Sequence, residues 1–140
     1  MTTLAMVTWQ QGVCFQADAE SGHSVTIDGP AEAGGEGRGF RPMELMLLGL
    51  GGCMALDVLT ILRRMRRPIS AYQVTLRAER ADQPPRVYTE VTLEHVLQGD
   101  GLTDDAVQRA IDLAESKYCS AFAMFAKTAT VKNVFQIVRS

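Results

Sequence analysis

The side chains of this 140-residue chain best suited to covalent chemistry are three cysteines, Cys14, Cys53 and Cys119. Their odd number and wide spacing do not describe a disulfide scaffold, and no C-x-x-C pair marks a structural zinc site. In a reducing compartment each thiol is either a small inert hydrophobe or a chemically active group. Cys14 lies in "VCFQA" beside Phe15, with no charged neighbour to activate it, and is expected to be packing. Cys119, in "KYCSAFAMFAK", directly precedes Ser120, the expected N-cap of a short helix. Backbone N–H groups at that helix start would favour a thiolate, and Lys117 adds a cation nearby in sequence.

Cys53 sits in "LLGLGGCMALDVLTILRRMRR" (Leu47–Arg67), behind Gly49, Gly51 and Gly52. Glycine costs up to ~1 kcal/mol in a helix interior relative to alanine, so this run needs a reason. Either the helix packs closely on another backbone, or the chain is left open around the sulfur for a substrate or a second thiol. A thiolate here is disfavoured by its apolar surroundings and by Asp57 one helical turn on. A nucleophilic Cys53 therefore needs a cation from elsewhere, and Arg38 and Arg41 in the loop upstream are the nearest in sequence. Glu44 could hold such an arginine by a charge-assisted pair. On a straight helix, however, Glu44 lies about half a turn out of phase with Cys53.

Other chemistries find less support. His23 and His95 have no metal-ligand spacing with each other or with a cysteine, so no metal site is expected. "RRMRR" reads as a solvated helix end rather than a nucleic-acid patch. "GGEGRG" lacks the Lys-Ser/Thr that completes a phosphate-binding loop. A net charge of −2 gives no pull towards nucleic acid or anionic membrane. The N-terminal "MTTLAMVTWQ" lacks the features of a signal peptide, so a cytoplasmic location is expected. The run from Leu45 to Leu62 has a clean apolar part of about 12 residues before Asp57, short of the ~20 that span a bilayer, and no membrane association is expected.

The elements that must position these residues follow from periodicity. "MVTWQ", "VCFQA" and "HSVTID" read as short strands, and the Gly- and Pro-rich "DGPAEAGGEGRGFRP" as a loop. A helix is expected over Met43–Arg66, apolar around most of its axis and therefore buried on all sides, with Pro68 as its stop. "YQVTLRAER" and "RVYTEVTLEHVL" alternate as a half-buried hairpin. Thr103-Asp104-Asp105 opens a second helix whose inner face is Val107, Ala110, Ile111 and Ala114. After the short helix at Ser120, "TATVKNVFQIV" reads as a closing strand. The order β-β-β-α-β-β-α-α-β in one domain, residues 1–140, describes an α+β fold with helices packed on antiparallel sheet.

"RPMELMLLGLGGCMALDVLTILRRMR" followed by "AESKYCSAFAMF" resembles the OsmC/Ohr family of osmotically inducible and organic hydroperoxide resistance proteins. The likeness consists of a P-x-E before a helix, a small-residue pair and cysteine inside it, and a late Y-C-S before a short helix. "SGHSVTIDGP" and "GGCMALDVL" look most like the small YhfA-like members. The resemblance implies a swapped homodimer, with antiparallel sheets around long central helices and sites at the dimer interface. It further implies reduction of organic hydroperoxides, with Cys53 as peroxidatic thiolate, Cys119 as resolving thiol and Glu44 as the acid of the P-x-E motif. No bound cofactor is implied; an external dithiol such as a lipoyl group would restore the thiols. The family's peroxidases take an activating arginine from the N-terminal strand-loop region. Here no arginine precedes Arg38, so Arg38 or Arg41 would have to serve. The alternative is an OsmC-like dimer that binds a small hydrophobic ligand without turnover. Met43, Met46, Met54, Met65, Phe122, Met124 and Phe125 would form its adaptable pocket, or else plain core.

Overall fold

Alternating, β-branched segments punctuated by glycines build a three-stranded antiparallel meander from β1 (Ala5–Gln11), β2 (Cys14–Ala19) and β3 (Ser24–Ile27). Gly12 and Gly22 make the turns at φ 54° and 89°, values that side chains adopt only at a cost. The computed structural model describes Met1–Arg139, which divide into two compact units, Met1–Leu48 and the chain from Gly49 onward. In the first unit the buried Asp28 organises the loop that follows β3. Its carboxylate accepts the backbone N–H groups of Gly29 (2.8 Å), Glu36 (2.9 Å) and Arg38 (3.1 Å). These donors, that of Arg38 foremost, hold its pKa below the usual carboxylate range. Within this stretch, expected to be all loop, Ala31–Ala33 forms a single 3₁₀ turn.

Helix α1 (Pro42–Arg64) starts one residue earlier than expected, with proline at its first position, where a missing N–H costs nothing. Glu44 Oε1 accepts the backbone N–H of Arg41 at 2.8 Å, the backward half of a capping box. At the other end Arg66 N–H donates to the Arg63 carbonyl (3.0 Å) and Arg67 N–H to the Leu62 carbonyl (2.9 Å). That is a Schellman stop, and it forces Arg66 to φ +60°, a left-handed position usually given to glycine.

Burial along α1 corrects the expectation of a helix covered on all sides. Leu50, Met54, Val58 and Leu62 recur every fourth residue and are fully buried, joined by Gly51 and Ile61. Met46, Leu48 and Leu56 are exposed instead, because one sheet can cover only one face of a helix. The length argument also changes. At 23 residues and mean hydropathy 2.1, α1 is long and apolar enough to cross a membrane by length and composition. Its buried stripe, however, lies within the chain's own core.

The second unit pairs β4 (Ala71–Arg80) antiparallel with β5 (Tyr88–Gln98), as the alternation predicts. The last strand, β6 (Thr130–Ile137), lies on the other side of β5 and runs parallel to it, unlike the antiparallel pairing expected throughout. The connection explains this: α2 (Asp104–Leu113) and α3 (Ser120–Phe125) intervene, and a helical crossover returns the chain in the same direction. Alternate residues Val91, Leu93, His95 and Leu97 of β5 form the buried face of this sheet. Thr103 caps α2 as expected, its hydroxyl accepting from Ala106 N–H at 3.2 Å.

Replacing Arg66 by glycine removes the left-handed strain of a side-chain-bearing residue. Arg66→Gly is expected to stabilise the fold by about 1 kcal/mol, raising the melting temperature by roughly 3–5 °C. An unchanged or lower melting temperature in a thermal scan contradicts this account of the helix end.

Candidate functional site: two thiols and a carboxyl

The second unit brings Cys53 and Cys119 together across 66 residues of sequence. The two sulfurs and a carboxylate oxygen of Asp57 all lie within 4.8 Å of one another. Cys53 and Asp57 stand one helical turn apart on α1, so they share a face. Of the glycines before Cys53, one serves packing. A Cβ on Gly51 would lie 2.6 Å from Leu76 Cδ1, so the absence of a side chain lets α1 sit directly on β4. Gly49 and Gly52 have nothing within 4 Å of where a Cβ would be. The packing explanation therefore applies to Gly51, while the space beside Gly49 and Gly52 is open.

Cys119 reaches the site through an irregular turn. After α2 the chain widens into a π-helical turn, Ala114–Tyr118, closed by Cys119 N–H on the Ala114 carbonyl at 2.8 Å. Cys119, not Ser120, is the N-cap of α3: its sulfur accepts the Phe122 N–H at 3.3 Å. The expected activation by the helix start is outweighed. Burial pushes the Cys119 thiol up to about 12; the Phe122 N–H opposes the shift, and neighbouring Cys53 and Asp57 add to it. Cys119 is thus a protonated thiol at neutral pH. Burial also raises the Asp57 carboxyl, whose Oδ2 is buried without a hydrogen-bond partner.

A buried polar chain holds the segment that delivers Cys119. Tyr72 of β4 donates its hydroxyl to His95 Nδ1 (2.7 Å), and His95 Nε2–H donates to Asn133 Oδ1 (2.7 Å). Asn133 Nδ2 in turn donates to Glu115 Oε1 (2.7 Å) in the π turn. The four side chains tie β4, β5 and β6 to the turn four residues before Cys119. Burial lowers the His95 pKa, opposed by the bond to Asn133, so the ring is neutral and its tautomer fixed.

The other expected site residues are engaged in the first unit. Arg38 pairs its guanidinium with Glu36 at 2.9 Å, and Glu44 accepts from the Arg41 backbone rather than from a guanidinium. Cys14 is buried, as expected for packing. The methionines and phenylalanines do not gather in one pocket: Met54 is core, while Met46 and Met124 are exposed. A cavity of about 700 Å³ in the second unit is lined by Ile61, Arg64, Arg67, Arg109, Leu113 and Tyr118 among others, and by neither thiol.

The family model for OsmC-like proteins matches residues 34–133, which include both cysteines. The chain belongs to the OsmC family. It is 36% identical to protein YhfA of Escherichia coli K12, over 96% of this chain and 97% of YhfA. A hypothetical protein from Aquifex aeolicus VF5 has the same fold, with TM-score 0.87 at 25% identity over 99% of this chain and 97% of that one. An organic hydroperoxide resistance protein OsmC from Legionella pneumophila shares the fold at TM-score 0.71 and 17% identity, over 97% of each chain. For this OsmC-family chain, sequence reasoning noticed Asp57 only as an obstacle to a thiolate; the Cys53/Asp57 spacing was the signal that they face the same way. It missed Tyr72, Asn133 and Glu115, which no local pattern marks.

The His95 network makes a pH prediction. The unfolded chain binds a proton at His95 near pH 6.5, whereas the folded chain binds it only at lower pH. This contribution to stability is complete above about pH 6.5 and declines as pH falls below it. His95→Gln is expected to cost on the order of 1–3 kcal/mol at neutral pH and to flatten the loss of stability between about pH 7 and pH 5. Denaturant melts of both proteins showing equal losses over that interval would contradict the assignment.

Proposed function

We propose that this OsmC-family protein reduces organic hydroperoxides with Cys53 as the attacking thiolate and Cys119 as the resolving thiol. The observation that carries the reading is the meeting of the two sulfurs with Asp57 within 4.8 Å. A Cys53 thiolate attacks the O–O bond, leaving a sulfenic acid on sulfur and releasing the alcohol once the alkoxide takes up a proton. Cys119 then attacks the sulfenic sulfur and a disulfide closes; the Cys119 proton, relayed through nearby Asp57, joins the departing hydroxyl, which leaves as water. A dithiol reductant, such as a lipoyl group, restores both thiols by exchange. Asymmetry between the thiols favours this division of labour: the buried, capping Cys119 resists ionisation, while Cys53 is half-buried beside the open positions of Gly49 and Gly52.

On this reading Arg38 or Arg41 supplies the positive charge that the Cys53 thiolate needs, and Arg38 must first leave Glu36. The protein acts as a homodimer. Met6, Val7 and Trp9 on β1, and Met46, Leu48 and Leu56 on α1, are large apolar side chains left exposed in the single chain. Such surface calls for a partner, and a second copy offers the same surface in return.

Steady-state assays with cumene hydroperoxide and dihydrolipoamide test the proposal. Wild type is expected to consume peroxide. Cys53→Ser should reduce consumption at least ~100-fold, to the background of the reagents. Cys119→Ser should consume one equivalent and then slow. Undiminished consumption by Cys53→Ser rules the mechanism out.

A further inference from the structure

We infer that the reduced Cys53–Asp57–Cys119 cluster is a three-ligand site for a divalent thiophilic cation of the zinc type, with its fourth position open to solvent or a ligand. The inference stands on where the three donors lie and not on hydroperoxide reduction. Zinc held tetrahedrally by two sulfurs at ~2.3 Å and an oxygen at ~2.0–2.2 Å has its donor atoms roughly 3.5–3.8 Å apart. The three donors, already within 4.8 Å of one another, need to close by no more than about 1.3 Å to reach that spacing.

The chemistry of the donor set selects the ion. Two thiolates exclude magnesium and calcium, which take oxygen ligands, and one carboxylate beside them suits zinc more than copper(I). Asp57 gives the second observation. Its Oδ2 is buried with no hydrogen-bond partner, an arrangement that costs free energy and that a cation between the three groups would relieve. A dication would offset the charge of two thiolates, leaving the carboxylate to complete the site. Entry is available, since Gly49, one turn before Cys53 on the same face, leaves open space, and Cys53 is only half-buried.

Binding displaces the proton of each thiol, and that of the carboxyl where it carries one, and moves no electrons. Metal and disulfide are mutually exclusive, because each requires both sulfurs. A bound ion would therefore hold the pair reduced and withhold it from oxidants, and oxidation of the pair would release the ion.

The test uses reduced, metal-free, full-length protein titrated with Zn²⁺ against a chromophoric chelator, and with Co²⁺ to read thiolate-to-metal charge transfer. One ion per chain and a charge-transfer band are expected. Cys53→Ser and Cys119→Ser should each weaken binding on the order of 100-fold, Asp57→Asn about 10-fold, and Cys14→Ser not at all. Circular dichroism on each variant checks that it is folded. In wild type, which needs no variant to fold, Zn²⁺ should slow alkylation of Cys53 and Cys119, mapped by peptide mass, and leave that of Cys14 unchanged. Absence of the cobalt–thiolate band in the folded wild type, or its persistence in both Cys53→Ser and Cys119→Ser, overturns the site. Both readouts are independent of peroxide turnover, so failure of the metal site and failure of the peroxidase proposal are separately visible.

Discussion

In the second unit α1 rests on the sheet at Gly51, where Leu76 of β4 occupies the space that a side chain would need. Seating α1 on the sheet through a glycine sets the depth of the helix. The depth, in turn, buries Leu50, Met54, Val58 and Leu62 against the chain's own core, each worth roughly 1.5–3 kcal/mol over exposure. Cys53 and Asp57 lie beside that stripe rather than in it, half-buried, where they meet the end of the π turn. Of the three glycines whose propensity cost the helix carries, Gly51 lets it pack, and Gly49, one turn before Cys53, has open space beside it.

Both thiols and the carboxyl then share one small, partly dry volume, and the electrostatics follow. Burial disfavours ionisation of Cys119 and of Asp57, Cys53 and Asp57 add to the effect at Cys119, and the capping bond from Phe122 is too little to reverse it there. A site of this kind is poor at holding negative charge unaided. It can exchange protons among its own members, close a disulfide, or accept a positive charge from outside. The proposed peroxidase chemistry uses the first two, and the proposed metal site uses the third.

Much of this was legible in the sequence. Period-two alternation marked β4, β5 and β6, and Thr103 with two acids marked the start of α2, because these signals are local. The two cysteine motifs identified the family to which the chain belongs. What could not be read depended on distant partners. The direction of β6 follows from the crossover through α2 and α3, not from its own residues. The π turn reveals itself only by the long bond from Cys119 to Ala114. His95 looked like an unremarkable strand residue, yet its partners Tyr72 and Asn133 stand 23 and 38 residues away. One-sided burial of α1 escaped a reading based on composition, because an apolar surface looks the same whether its own chain or another covers it.

The central claim is that Cys53 and Cys119 act as one redox pair. Reduced protein treated with a single equivalent of an organic hydroperoxide, quenched and digested without reduction, tests it most directly by peptide mapping. The account predicts one new linkage, joining the peptides of Cys53 and Cys119, with Cys14 still free. A linkage through Cys14, or two oxidised but unlinked thiols, would contradict it.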